Sequence, residues 1–169
     1  MQTKIRNVAM TGILAAVGVI GGTFSIPMGV AKCAPVQHLI NVICAVVLGP
    51  AYGVACAFLT SLVRNLLGTG TPLAFFGSMV GALLAGLAYR KSQKILFAMA
   101  GEVIGTGLIG AMLCYPVARF LMGNSSAALF TFVVPFGIST LVGSLIAGFL
   151  LFALKKTHVL ERLASPLNH

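Results

Sequence analysis

The chain has 169 residues, of which 59% are hydrophobic and 8% are charged, and its 11 lysines and arginines against 2 acids give a formal net charge of +9. Soluble domains are usually about 45–50% apolar and about 25% charged, so this composition excludes a soluble protein and predicts an all-α integral membrane protein in a lipid bilayer. Because the basic residues lie at the ends of apolar runs, the charge indicates a membrane topology and no nucleic-acid partner.

Apolar runs separated by Gly, Pro, Asn and Ser breaks predict six transmembrane helices in one membrane domain, residues 1–169. The predicted spans are residues 5–22, 36–48, 51–67, 74–90, 94–120 and 127–154. With both termini in the cytoplasm, eight of the 11 basic residues lie on the cytoplasmic side, as the positive-inside rule expects. The other three are Lys32, Arg64 and Arg119. The alternative, a signal peptide at the first run, would leave five spans with opposed charge signals.

The second predicted span, "VQHLINVICAVVL", is short and begins with polar residues. Gln37, His38 and Asn41 lie within one helical turn of each other. Short spans next to irregular backbone are typical of the binding region of a transporter, because such backbone is tolerated at membrane depth only inside protein or beside a cavity. These side chains either face an outward cavity or form packing hydrogen bonds with neighbouring helices.

The third predicted span ends in "RNLLGTGTP". Arg64 lies about 21 Å along the helix from the turn at Pro50, close to the outer interface. It either extends its charged group into that interface or contributes to a ligand site with Asn65, Thr69, Thr71 and the backbone of the Gly-rich turn.

Glu102 is the only acid inside the predicted spans. It lies about 12 Å along the helix from Lys94, at a depth where a bare carboxylate is costly, so we expect it to be paired or protonated. It then binds substrate, carries a proton or holds the bundle together through a partner. The same run carries Tyr115 and is followed by the polar loop of Asn124.

Small residues recur four apart, as in Gly77, Gly81 and Ala85 and in Gly101 and Gly105, which predicts close helix packing. The four cysteines lack a C-x-x-C spacing, so we expect no disulfide and no metal site. Motifs of hydrolases and ATPases are absent from the sequence, and we therefore predict no catalytic residues, no cofactor and no enzymatic activity.

Residues 32–90 resemble the ThiW family, whose members are substrate-binding S components of energy-coupling factor (ECF) vitamin transporters. The segments that carry the resemblance are "QHLINV", "RNLLGTGT" and "GSMVGALLAG". The resemblance implies a six-helix subunit in a prokaryotic plasma membrane that captures a vitamin precursor on the outer face. It also implies an ECF transmembrane coupling protein and two cytoplasmic ATPases as partners, and the thiazole moiety of thiamine, hydroxyethylthiazole, as substrate.

On this basis we expect residues 25–35 and 68–72 to act as lids over a pocket. The expected substrate-binding residues are His38, Asn41, Arg64, Asn65, Thr69, Thr71, Ser78, Glu102 and Tyr115, and the expected lid residues are Lys32 and Asn124. A face of small residues on the first helix is expected to contact the coupling protein: Thr11, Gly12, Ala15 and Ala16.

Two alternatives from other classes stay open at this point. One is a proton-coupled secondary transporter that uses Glu102 and needs no ATPase, and the other is a membrane scaffold whose pocket residues only satisfy one another.

Overall fold

The computed structural model describes residues 2–28 and 31–164, and it is mostly helical. Its helices are α1 (Gln2–Gly22), α2 (Pro35–Val47), α3 (Pro50–Leu66), α4 (Leu73–Ser92), α5 (Ile95–Ile104), α6 (Ala111–Pro116), α7 (Val133–Lys156) and α8 (Val159–Leu163). Helices α5 and α6 belong to one continuous helix, Ile95–Leu121, called the α5–α6 helix below. Its turns Gly105–Gly110 and Val117–Leu121 are π-helical.

Each of the six predicted runs overlaps a helix. Among the described residues, four helices are long and apolar enough to cross a membrane: α1, α4, the α5–α6 helix and α7. Helix α2 has 13 residues, which is shorter than the roughly 20 residues that span a bilayer. The predicted start of the last run at residue 127 is wrong, because the chain forms turns as far as Phe132 and the Ala128 N–H donates to Thr131 Oγ1 (2.8 Å).

The prediction of an all-α chain is wrong at one place, where a small β-hairpin follows α1. Strands β1 (Ile26–Met28) and β2 (Ala31–Cys33) pair antiparallel, with Ile26 opposite Cys33. The Ala34 N–H after β2 donates to Ser139 Oγ (2.9 Å), which fixes the hairpin on α7. Residues 29 and 30 of the predicted lid, like residues 1 and 165–169 of the predicted domain, lie outside the described part.

Helix α4 packs against the α5–α6 helix through glycine, as the four-residue spacing predicts. A Cβ added at Gly105 would lie 2.7 Å from Gly81 Cα, and one added at Gly110 would lie 2.7 Å from Gly77 Cα. These contacts are backbone against backbone, which brings the two helices close enough for short polar side chains to bond across the seam.

The two ends of the bundle differ in charge. At one end, called the basic end, α4 ends with Arg90 and Lys91 in its last turn, Lys94 follows just before α5, and α7 ends in Lys155 and Lys156. The opposite end, called the hairpin end, carries the hairpin, the turn of residues 67–72 and the loop of residues 122–132. The long helices between the two ends expose large apolar side chains, such as Ile20 (67%) and Phe149 (76%), as expected of a membrane protein facing lipid.

Candidate functional site

A cavity lies at the hairpin end, where α2, α3, α4, the α5–α6 helix and α7 meet beneath β2 and the turn of residues 67–72. Its polar lining is Lys32, Gln37, His38, Arg64, Thr71, Ser78 and Thr106, and its apolar lining is Ala34, Gly70, Ala74, Gly77 and Phe136. The free volume is about 30 Å³, whereas ligand pockets usually measure about 300–1,000 Å³. The cavity as it stands has room for about one water molecule, so a larger ligand requires the walls to move apart.

The floor of the cavity is a hydrogen-bond network centred on Glu102, whose side chain is fully buried. Glu102 Oε1 lies 2.9 Å from His38 Nδ1 and accepts hydrogen bonds from Asn41 Nδ2 (3.0 Å) and Thr106 Oγ1 (2.9 Å). Asn41 Nδ2 also donates to Ser78 Oγ (2.9 Å). The acid is therefore hydrogen-bonded to three side chains, and pairing is one of the two states expected from its depth in the sequence.

Glu102 also determines how His38 presents its ring to the cavity. The hydrogen bond between His38 Nδ1 and Glu102 Oε1 holds the ring with Nδ1 on the side of the floor. Glu102 itself does not line the cavity, so its influence on a ligand passes through the side chains that it holds.

The roof of the cavity is built around Arg64, whose side chain is buried with 2% exposure. Its guanidinium donates to Gln37 Oε1, to the Gly22 carbonyl (3.0 Å) and to the Thr69 carbonyl (3.4 Å). A Cβ at Gly22 would lie 2.6 Å from Arg64 Cζ, so only glycine leaves room for the guanidinium there. The charged group lies inside the bundle and does not extend outward to the membrane interface.

Asn65 closes the turn over the cavity. Its Nδ2 donates to the Ser61 carbonyl (2.8 Å) and to the Thr71 carbonyl (3.0 Å), and Thr69 Oγ1 donates to the Arg64 carbonyl (3.2 Å). Lys32 Nζ on the hairpin donates to the Thr69 carbonyl (3.1 Å). The Lys32 side chain therefore joins the hairpin to the turn above Arg64.

The structure divides the residues expected to bind substrate into three sets. His38, Asn41, Ser78 and Glu102 share the floor network, and Arg64, Asn65, Thr69 and Thr71 belong to the roof. Tyr115 packs instead beside the apolar cluster of Phe132 and Phe136. Of the two expected lid residues, Lys32 lines the cavity, and Asn124 accepts from the Ser126 N–H (3.1 Å) in its own loop.

Besides Gln37, which the sequence analysis named without placing it among the substrate-binding residues, three contributors to the site are missing from that set. Thr106 lies one helical turn after Glu102, and Ser61 lies one turn before Arg64 and accepts from Gln37 Nε2 (3.1 Å). This spacing could have identified Thr106 and Ser61 from the sequence, because residues one helical turn apart lie on the same face. Phe136, which supplies an aromatic wall, has no such signal because nothing in its run distinguishes it from the other apolar residues.

We expect Asn65→Ala to increase amide hydrogen exchange across residues 67–72 about 10-fold. The reason is that two hydrogen bonds holding the turn closed are lost, which costs local stability about 1.4 kcal/mol. The matched control is Asn124→Ala, which removes an asparagine at the same end of the bundle. Equal exchange of the turn in the Asn65 variant and the wild type would contradict this role.

A second, apolar surface runs along α1 and α3. The groove has a volume of about 370 Å³ and is lined by Gly12, Ala15, Ala16, Val19, Ile20, Leu59 and Val63. Thr11, which the sequence places with this set, is buried at 4% exposure and donates its hydroxyl to the Asn7 carbonyl (2.7 Å). Gly12, Ala15 and Ala16 thus contribute to the groove and Thr11 does not.

Comparison with known proteins finds relatives over almost the whole chain. Residues 8–157 match the family model described as thiamine-precursor transporter protein (ThiW). The biotin transporter BioY of Thermotoga maritima is 28% identical over 174 residues, which cover 92% of this chain and 99% of that protein. A solved structure, described as the S component of a bacterial ECF transporter, shares the fold with a TM-score of 0.68 at 15% identity, over 94% of this chain and 97% of that chain.

Proposed function

Because the chain belongs to the ThiW family of thiamine-precursor transporter proteins, we propose that it is the substrate-capturing S component of an ECF-type importer. The observation that carries the proposal is the polar cavity at the hairpin end, closed by the hairpin and the turn of residues 67–72. A buried site under two loop elements suits a protein that takes up a small solute at one membrane face.

The proposed topology has six crossings with both termini in the cytoplasm of a prokaryotic cell. Its support is the concentration of lysine and arginine at the basic end, which the positive-inside rule assigns to the cytoplasm. The hairpin end then faces outward. Helix α2 crosses only part of the bilayer, and the hairpin fills the remaining depth above it.

The proposed substrate is a thiamine precursor that contains the thiazole ring, with hydroxyethylthiazole as the parent compound. Phe136, Ala74 and Ala34 offer apolar contacts to a small flat ring, while His38, Ser78 and Thr71 offer hydrogen-bonding groups. Entry requires the hairpin and the turn to separate, since the free volume is about 30 Å³. The contact between Lys32 Nζ and the Thr69 carbonyl is the bond that must break first.

The chain contains no nucleotide-binding motif, so transport requires energy from partners. We propose a transmembrane coupling protein, which docks on the groove between α1 and α3, and two cytoplasmic ATPases. Small residues at Gly12 and Ala16 let another helix approach the backbone closely, which is how helices associate in lipid.

We expect Ala16→Leu to reduce ATP-dependent uptake at least about 10-fold without changing ligand affinity, because the added side chain fills the groove and leaves the cavity untouched. Ala100→Leu is the matched control, since Ala100 is exposed on α5 and lies outside the groove. Measurement combines uptake into proteoliposomes with copurification of the coupling protein. Normal uptake by the Ala16 variant would remove the groove from the proposed interface.

The proposal is tested by uptake of labelled hydroxyethylthiazole into proteoliposomes that contain the chain alone or the chain with its coupling protein and ATPases. We expect uptake only in the second case, and only when ATP is present on the side of the membrane that carries the ATPases. Uptake by the chain alone, abolished when the pH gradient is collapsed, would instead establish the proton-coupled alternative. A chain that neither transports nor binds any vitamin precursor would be the scaffold.

A further inference from the structure

The roof of the cavity contains a buried positive charge with no acidic partner. Arg64 is 2% exposed, and the oxygens that accept its hydrogen bonds belong to an amide side chain and two backbone carbonyls, which are all neutral. Leaving a buried charge without a counter-ion costs several kcal/mol of folding free energy. Such a side chain is retained where its charge has a use.

Both acidic residues of the sequence make their contacts away from Arg64. The sequence contains two acidic residues, and Glu102 is held in the floor network by His38, Asn41 and Thr106. Glu161 lies on the short helix α8 beyond the basic end of α7, next to His158 (3.3 Å). Within the described part of the chain, no carboxylate contacts Arg64.

A second cation meets Arg64 at the same point. Lys32 Nζ and an Arg64 Nη both donate to the Thr69 carbonyl, at 3.1 and 3.4 Å, and both residues line the cavity. Two like charges converging on one oxygen repel each other; Lys32 is exposed, so solvent screens part of this repulsion, and an anion beside the two groups would turn it into attraction. In addition, Arg64 Nε is buried beside Gly22 and has no hydrogen-bond partner among the described residues, so the hydrogen bonding of the guanidinium is incomplete.

We propose that the cavity binds an anionic ligand, a small thiazole whose side arm ends in a carboxylate or a phosphate ester, with the anion held by Arg64 and Lys32. This inference rests on the proposed function for the identity of the ring. The planar guanidinium is suited to both carboxylate and phosphate oxygens, and Lys32 adds a second charge from the hairpin. An anion there neutralises the roof, and its contact with Lys32 replaces the bond that ties the hairpin to the turn.

The ring then lies towards the floor. The aromatic wall of Phe136 and the small residues Ala74 and Gly77 leave a narrow apolar space below the roof, next to His38. The two halves of the ligand are therefore recognised by different parts of the site, the anion by the roof and the heterocycle by the walls and floor.

The test compares two ligands of nearly equal shape by calorimetry on the detergent-purified full chain. One is hydroxyethylthiazole, which is neutral, and the other is the analogue in which a carboxylate replaces the terminal hydroxymethyl group. We expect the carboxylate to bind about 30-fold more tightly or better, which is the effect of a buried charge pair. The phosphate ester of hydroxyethylthiazole is titrated in parallel. The tighter-binding anion of the two shows whether the site takes a carboxylate or a phosphate ester.

Variants locate the effect at Arg64. In Arg64→Gln we expect the preference for the carboxylate to fall to within about 3-fold of unity, and in Arg64→Lys we expect part of it to remain, since the charge is kept. Arg119→Gln is the matched control, because Arg119 is exposed and lies outside the cavity. If Arg64→Gln does not fold, the ratio of the carboxylate and alcohol affinities measured on the wild-type chain still tests the proposal.

The outcomes separate this inference from the proposed function. Equal or tighter binding of the neutral alcohol would overturn the anionic ligand and leave thiazole capture intact. Binding of no thiazole compound would overturn the proposed function. The anion site would then be tested by comparing the affinity of biotin, which carries a carboxylate, with that of its neutral methyl ester. Tighter binding of the biotin carboxylate supports an anion at Arg64, and equal binding, or binding of neither, overturns it.

Discussion

Replacement of Glu102 by alanine is expected to lower the free energy of unfolding by about 2–4 kcal/mol and to abolish ligand binding. The substitution removes the one acceptor shared by His38 Nδ1, Asn41 Nδ2 and Thr106 Oγ1. Three buried hydrogen bonds are then lost. Asn41 Nδ2 and Thr106 Oγ1 keep acceptors at Ser78 and Gly77, whereas His38 Nδ1 loses its partner. Hydrogen bonds between membrane helices are worth about 0.6–1.7 kcal/mol each. Because Glu102 does not line the cavity, the loss of binding arises from the disorder of His38 and Ser78, which do.

Two variants give this experiment its controls. Glu102→Gln keeps one carbonyl oxygen as an acceptor, so we expect it to fold with a smaller loss of stability, about 1–2 kcal/mol, and to bind more weakly than the wild type. Glu161→Ala removes the other acid of the chain, whose side chain is 69% exposed, and we expect no change in either measurement. Thermal unfolding in detergent and calorimetric titration report the two effects. Wild-type stability and affinity in Glu102→Ala would remove the network from both the fold and the site.

Replacement of Gly105 by alanine is expected to destabilise the protein by about 1–3 kcal/mol, although alanine favours a helix over glycine by about 1 kcal/mol. The new Cβ would lie 2.7 Å from Gly81 Cα and 3.0 Å from the Val80 carbonyl oxygen. Both contacts are with backbone, which cannot rotate away, so α4 must separate from the α5–α6 helix. The separation also displaces Thr106, the neighbouring residue, from Glu102.

The control is Gly137→Ala on α7, where an added Cβ meets nothing within 4 Å. There the helix propensity of alanine acts alone, and we expect unchanged or slightly raised stability, by up to about 1 kcal/mol. Thermal unfolding of both variants in the same detergent shows directly whether stability falls in the Gly105 variant and is unchanged or raised in the Gly137 variant. A Gly105 variant that is as stable as the Gly137 variant would show that the seam between the two helices can open without cost.

The six helical runs were predictable from the sequence because each is an apolar run between breaks, whereas the five-residue helix α8 lies beyond the last of them. The short second run and the close glycine packing also followed from composition and spacing. The hairpin was missed, since the strands "IPM" and "AKC" have three residues each, too few for an alternation of apolar and polar residues to be recognised. The late start of α7 was missed because Ala127 to Phe132 are as apolar as the helix that follows.

The sequence named several of the residues that meet in the candidate site, without Thr106, Ser61 and Phe136, and it did not show how they are arranged. A lone acid at membrane depth requires a partner, and this argument needs only the sequence. The partner, His38, lies 64 residues away, and only the packing of α2 against α5 brings the two together. For Arg64 the sequence allowed an inward or an outward orientation, and the contacts with Gln37 and Gly22 that decide between them come from α2 and from the end of α1.

The measurement that tests the central claim most directly is calorimetric binding to the detergent-purified wild-type chain, with thiazole compounds, thiamine, the pyrimidine precursor, riboflavin and biotin titrated in turn. The claim that this ThiW protein captures a thiamine precursor in the cavity beneath the hairpin predicts tight one-to-one binding of a thiazole compound and weak or no binding of riboflavin. A folded sample that binds no thiazole compound would contradict it.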